Sequence, residues 1–227
     1  MTRITIIVEG PTEESFVKNV LAPYFWPNTI YLTPFVLGVP GHKGGNVNYA
    51  RVKKDILLQL KQDRSAYCST MLDLYGLGAG FPGMHPRSDS MHGLERAARI
   101  EQSMRNDIAA EVPELRPTLR FVPYLQVHEF EGLLFSDPGA LANALGRNEL
   151  SRKLKDIRDA FATPEDINDK PDTVPSKRIL DAYPPYQKVI EGTLGAQVIG
   201  IESMIRECAH FRDWIDRLSA LAFAPRS

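Results

Sequence analysis

Short apolar runs alternate with amphipathic stretches through the first half of the chain. Residues 4–8 (ITIIV) are continuous and largely β-branched, which is typical of a strand buried on both faces. Further strands are predicted at residues 30–37, 67–74 and 119–127. Pro34 lies within the second run and indicates an edge strand or a bulge, because proline cannot donate a ladder hydrogen bond.

Helices are predicted between these strands. Pro11 suits the first turn of a helix that follows residues 4–8. Apolar residues then recur at helical spacing within residues 49–60, and residues 94–112 have a helical pattern as well. Strands that alternate with helices favour right-handed βαβ units, so we predict an α/β fold with a mostly parallel sheet covered on both sides.

The pattern changes after Asp137. Helical segments follow, interrupted by a polar, proline-containing stretch at residues 163–185. We therefore predict an α/β core at residues 1–137 and a mainly helical extension at 138–227 packed on it. A single domain comprising both parts is the alternative.

Carboxylates fall where the predicted strands end. Glu9 ends the first strand, Asp73 ends the third, and Glu129 and Glu131 follow the fourth. The carboxyl ends of parallel strands meet at one edge of a sheet, which is where ligands bind in such folds. These like charges would repel one another unless a cation joined them. Oxygen donors suit Mg²⁺ or Mn²⁺, so we predict a metal site, with Glu13 as a further candidate ligand.

Structural roles compete with metal binding for two of these acids. Glu13 and Glu14 lie in the first helical turn, where negative charge is favourable against the helix dipole. Asp73 precedes Tyr-Gly, a common way to end a strand with a turn. Glu129 and Glu131 would share a face if their segment is extended, but would diverge if it is helical.

Basic residues in three other segments are candidates for contacts with an anion. Lys43 lies in the small-residue stretch GHKGGN, and Arg87 lies in a glycine-rich stretch at residues 76–93. Ser176, Lys177 and Arg178 follow Pro175, so the two cations fall in a predicted first helical turn, where they oppose the dipole. A substrate phosphate would account for these two cations, as would Asp181 and nearby acids. For the stretch with Lys43 the alternative is an exposed connector, and for the stretch with Arg87 it is a mobile lid.

Composition limits the class of protein. The chain has 227 residues, 43% apolar and 24% charged, which is enough for a sizeable core. The net charge of −1 excludes a globally basic nucleic-acid binder but not a local basic patch. Two distant cysteines suit a reducing cytoplasm, and no apolar run is long enough to cross a bilayer. We expect a cytoplasmic protein without a signal peptide.

Several motifs carry a resemblance to known families. The segments EGPTEE, LDLYGL, HEFEGLLF, INDKPDTVPSKR and CAHFRDW, in that order, resemble a bacterial family catalogued as domain of unknown function 4276. That family is regarded as Toprim-like. The VEGPTE segment, Asp73 and the later glutamates resemble the Toprim superfamily itself, which includes topoisomerases, primases and nucleases of the overcoming-lysogenization-defect class.

The resemblance implies a Rossmann-like four-stranded core, a divalent metal and phosphodiester chemistry on nucleic acid. Glu9 would correspond to the superfamily's first glutamate and Asp73 to the first acid of its Asp-x-Asp motif. Tyr75 stands where the second acid is expected, so Glu13, Glu129 or Glu131 would have to supply the missing ligand. Lys177 resembles a late lysine that related nucleases place near the scissile phosphate.

The resemblance also implies a context. Relatives are often encoded beside an ATPase of the structural-maintenance or ABC type in mobile-element or phage defence systems, which implies an ATPase partner. We therefore expect a metal-dependent nuclease. The alternatives are a non-catalytic interaction or sensing subunit of an ATPase, and a phosphohydrolase or phosphotransferase acting on small molecules.

Overall fold

A computed structural model describes residues 1–38, 47–78, 80–84, 92–168 and 173–223. Lys43 and Arg87 lie outside these ranges.

A parallel sheet forms the centre of the fold. Its strands are β1 (Thr2–Val8), β2 (Ile30–Val36), β3 (Tyr67–Asp73), β4 (Phe121–Val122) and β5 (Leu125–Gln126). The strand order is β2-β1-β3-β4, and β5 also pairs with β3. All of these pairings are parallel. The predicted α/β class and parallel sheet are therefore confirmed.

Two details of the sheet concern proline. Pro34 lies on β2, which is an edge strand. Of the two alternatives predicted for this proline, an edge strand and a bulge, the edge strand is confirmed.

The predicted continuous strand at residues 119–127 is wrong at its start and in its continuity. Residues Pro117–Arg120 are helical, and Pro123 separates the two short strands β4 and β5.

Helices cover both faces of the sheet and make up the C-terminal region. A π-helical turn at Val17–Leu21 joins α1 to α2, and a 3-10 helix occupies Phe130–Ser136. The α-helices are α1 (Pro11–Phe16), α2 (Ala22–Phe25), α3 (Tyr49–Gln62), α4 (Gly93–Glu111), α5 (Pro117–Arg120), α6 (Pro138–Ala144), α7 (Ser151–Asp159), α8 (Pro175–Ala182), α9 (Lys188–Ile199), α10 (Ile201–Glu207) and α11 (Ala209–Ala220).

Two apolar cores lie on opposite faces of the sheet. Successive residues of β1 alternate between them, since Ile6 and Val8 belong to one core and Ile7 to the other. The core of Ile6 also contains Trp214 of α11, whose ring stacks on Tyr124 with centroids 4.2 Å apart. The C-terminal helices thus pack against the same sheet that the N-terminal strands build.

Within the described ranges, none of the helices has both the length and the apolar composition required to cross a membrane.

Candidate acidic site at the carboxyl edge of the sheet

The first two acids lie at the carboxyl ends of neighbouring parallel strands. Glu9 follows β1, and Asp73 is the last residue of β3. The Glu9 carboxylate lies against the turn after β3, because a Cβ at Gly76 would be 3.3 Å from both of its oxygens. Glycine at position 76 therefore lets this turn approach the Glu9 carboxylate closely.

Glu13 connects the site to the start of α1. Its Oε2 accepts a hydrogen bond from the Gly10 backbone N–H at 3.0 Å, which is the reciprocal half of a capping box. The predicted role at the helix N-terminus is therefore confirmed. Glu13 is only 4% exposed, and its charge raises the pKa of both Glu9 and Asp73.

A left-handed residue brings the third segment to the site. His128 has φ of 66°, and its carbonyl accepts a hydrogen bond from the Tyr75 N–H at 3.4 Å. This contact ties the turn after β3 to the turn after β5. A non-glycine residue in this conformation costs free energy, and such strain is concentrated at functional sites.

The His128 ring pairs with an amide side chain. The Asn168 side-chain amide nitrogen lies 3.1 Å from His128 Nδ1. Burial lowers the pKa of His128 to about 4, so the ring is neutral and Nδ1 accepts this bond. His128 consequently supports the turn that precedes Glu129.

Glu129 and Glu131 adopt different backbone conformations. Glu129 is extended, and its Oε2 accepts a hydrogen bond from the Ser176 N–H at 3.1 Å, at the start of α8. Glu131 lies inside the 3-10 helix and is fully buried, with 0% exposure. Its Oε2 lies 3.0 Å from Nζ of Lys188.

Lys188 is the residue that the sequence analysis missed. It is the first residue of α9, and its ammonium group lies near Asp73 and Glu129 as well as Glu131. A cation in the first turn of a helix opposes the dipole. The same argument pointed to Lys177, but it could not be applied to Lys188 because the sequence pattern does not predict a helix that begins there.

Burial and like charges perturb the acids of the site. Burial, followed by the charge of Glu13, raises the pKa of Glu9 to about 6 and the pKa of Asp73 well above its ordinary value. Burial raises the pKa of Glu131 to about 7, although Lys188 acts in the opposite direction. For Lys188, burial disfavours the charge, but Glu131 and Asp73 raise its pKa above the ordinary range. The positive charge of Lys188 therefore acts on several carboxyl groups of the site at once: those of Glu131, Asp73, Glu129 and Glu9.

Four carboxylate oxygens in the site accept no hydrogen bond from the residues that the structure describes. They are Glu9 Oε2, Asp73 Oδ1 and both oxygens of Glu131, all shielded from solvent; Glu131 Oε2 has only its ion-pair contact with Lys188. Buried polar atoms in proteins are normally hydrogen-bonded, so four such oxygens in one site mark a place for a missing donor or cation. Carboxylate oxygens are the donors that Mg²⁺ and Mn²⁺ prefer, and the chemistry of the set fits such an ion.

The described side chains do not form a ready-made metal cage. Across the parts of the chain that the structure describes, no group of three or more His, Cys, Asp or Glu side chains is arranged to hold a metal ion as it stands. Lys188 occupies the position beside Glu131. A divalent cation would therefore require local rearrangement of these side chains.

The predicted basic residues of α8 have separate surroundings. Ser176 contacts the site through its backbone N–H, which bonds to Glu129. Arg178 donates to the Thr173 carbonyl at 2.7 Å and lies over the Phe161 ring. Lys177 is exposed.

The parallel sheet and its acidic carboxyl edge define an α/β protein with a buried carboxylate cluster. The chain belongs to the family described as domain of unknown function (DUF4276), whose model matches residues 8–219. No curated protein and no solved structure matches the chain. The family assignment made from the sequence is confirmed, and the relationship to the Toprim superfamily stays a prediction.

Proposed function

We propose that this protein is a divalent-metal-dependent nuclease that hydrolyses phosphodiester bonds of nucleic acid at the Glu9–Asp73–Glu131 site. One observation carries the proposal: two strand ends and the 3-10 helix after β5 bring Glu9, Asp73 and Glu131 to one site, and each has a solvent-shielded oxygen that accepts no hydrogen bond from the described residues. An excess of buried negative charge requires protons or a cation, since isolated buried charges are costly.

Glu9, Asp73 and Glu131 would hold Mg²⁺ or Mn²⁺, with Glu129 and Glu13 as additional oxygen donors. A bound divalent ion supplies Lewis-acid polarisation of a phosphoryl oxygen and lowers the pKa of a bound water. Glu9, whose pKa burial raises to about 6, is mostly ionised at neutral pH and could accept a proton from a reacting oxygen. Nucleic acid would be held by local contacts, because the net charge of −1 gives no general attraction.

The second candidate function is a non-catalytic interaction module, for example a subunit of the ATPase partner that the resemblance implies. Tyr75 favours this candidate because it replaces an acid and is 43% exposed. Lys188 also favours it, since an ammonium group already provides positive charge to the cluster.

A plasmid-nicking assay with Mn²⁺, comparing the wild type with Asp73→Ala, tests the proposal. We expect metal-dependent cleavage by the wild type and loss of cleavage in the variant. Equal inactivity of both proteins would favour the interaction module. Cleavage that survives the substitution would place the chemistry elsewhere on the chain.

A further inference from the structure

We infer that Lys188 is a built-in competitor for the divalent cation. Its ammonium group holds the place beside Glu131 and must leave before that carboxylate can coordinate a metal. The inference rests on the cation site of the proposed function. It adds that Lys188 controls whether a divalent cation can bind there.

The position of Lys188 is explained by the acids and not by its helix. Burial and the N-terminus of α9 both disfavour a positive charge there. The attraction of Glu131, Asp73 and Glu129 outweighs these costs and raises the pKa of Lys188. The ammonium group is thus held in the cluster by the same carboxylates that would hold a metal.

The Lys188–Glu131 contact differs from a structural buried ion pair. Such pairs stabilise a fold only when hydrogen bonds also satisfy the remaining lone pairs. Here Glu131 is fully buried, yet its Oε1 accepts no hydrogen bond. A cation with a structural role has its hydrogen bonds satisfied by the fold. The Arg120 guanidinium, for example, donates to the carbonyls of Leu60, Ala66 and Leu115 at 2.9–3.2 Å.

The lysine side chain is able to leave. The Lys188 side chain is 40% exposed, whereas that of Glu131 is 0% exposed. The lysine side chain is therefore partly in contact with water, and its long flexible stem would allow the charged head to move into solvent. Glu131 is inside the 3-10 helix and fully buried. We therefore expect Lys188, and not Glu131, to move when one cation replaces the other.

A Mn²⁺ titration of the metal-free protein tests this competition. Removing the ammonium group in Lys188→Met should tighten Mn²⁺ binding about tenfold or more, because a unit charge beside the ion opposes its binding. Lys188→Arg keeps the positive charge and should bind Mn²⁺ with wild-type affinity or more weakly. Lys155→Met is the matched control, since it removes a lysine that pairs with Asp159 at 2.5 Å on an exposed helix face.

A second measurement covers the case in which Lys188→Met does not fold. The side-chain NMR signals of Lys188 in the wild type should shift as Mg²⁺ is added, while those of Lys155 should not. The inference is overturned if Mg²⁺ binds and leaves the Lys188 signals unchanged, or if Lys188→Met binds Mn²⁺ no more tightly than the wild type. Absence of Mn²⁺ binding by every variant would instead overturn the cation site and with it the proposed function.

Discussion

Two groups of buried acids in this molecule have opposite surroundings. Glu165 is 1% exposed and accepts hydrogen bonds from the backbone N–H groups of His210 and Phe211, at 3.1 and 3.0 Å. Glu101 is 5% exposed and accepts from the Leu125 N–H and from His210, both at 2.8 Å. These two acids lie among donors that the fold provides.

Glu131 is fully buried and Asp73 is half-buried, and both lack such donors. Each has at least one oxygen that no described group donates to, and their neighbours are mostly other carboxylates. Burial of carboxylates therefore serves different ends. Glu101 joins α4 to β5 and Glu165 holds the start of α11, whereas the acids at the sheet edge retain free lone pairs at a cost in stability, as expected for a functional site.

The largest effect is expected from Asp73→Asn. Nicking activity and Mn²⁺ affinity should fall by about 100-fold or more, because a charged donor to the ion is lost. The free energy of unfolding should stay the same or rise, since a buried like charge is removed. Nicking, Mn²⁺ titration and urea denaturation measure the three quantities. If Asp73→Asn were both inactive and strongly destabilised, Asp73 would have a structural role like that of Glu165 and Glu101, and the comparison would fail.

Glu165→Gln should show the reverse pattern. The amide retains one acceptor and turns an NH₂ group toward a backbone N–H, so the start of α11 loses a charged hydrogen bond. The free energy of unfolding should fall by about 2–3 kcal/mol. Urea denaturation measures this loss, and Mn²⁺ affinity should stay at the wild-type value. Loss of Mn²⁺ binding in a folded Glu165→Gln protein would count against a purely structural role.

The acids at the sheet edge should also make the free energy of unfolding depend on pH. The pKa of Glu131 is raised to about 7 and that of Glu9 to about 6 in the folded state, so the folded protein retains protons that the unfolded chain has released. The contribution of these two acids to the free energy of unfolding should therefore fall as pH rises from about 4.5 to about 7. The lowered pKa of His128 acts in the opposite direction, so the contribution of Glu131 is isolated by comparing the wild type with Glu131→Gln. Urea denaturation across this range should give a less negative slope for the variant. An unchanged slope in Glu131→Gln would contradict the raised pKa of Glu131.

The smallest effect is expected on the surface. Lys155 and Asp159 form an exposed i,i+4 pair on α7, with Nζ and Oδ2 2.5 Å apart. Lys155→Met should change the free energy of unfolding by less than about 0.5 kcal/mol, because water and salt screen such pairs. Urea denaturation of the wild type and the variant at low and at high salt measures this change in the free energy of unfolding. A loss as large as that of Glu165→Gln would show that proximity of charges alone, without burial, stabilises this fold.

The sheet was predictable because its signals are local. Residues 4–8, 30–37 and 67–74 are rich in apolar, β-branched and aromatic residues, and each overlaps a strand. The prediction for the fourth segment was wrong at its start, where Pro117 begins a short helix, a position that suits proline. Leu119 is exposed in this helix, so its apolar side chain did not indicate a buried strand.

The acidic half of the site was predictable, and the basic half was not. Topology alone sends Glu9 and Asp73 to one edge of a parallel sheet. Lys188 was missed because α9 has no polar face: Ile190, Leu194 and Val198 are exposed while the opposite side is buried. A helix that is apolar all round gives no periodic signal.

The spread of the site along the chain has a consequence for folding. Glu9, Asp73, Glu131 and Lys188 are separated from one another by roughly sixty residues each, so three long loops must close before they meet. Such non-local contacts form late and make folding slow. A divalent ion would thus recognise only the completed fold and could not act as a nucleus for it. Unfolding α9 alone would remove the ammonium group from the acids before the sheet is lost.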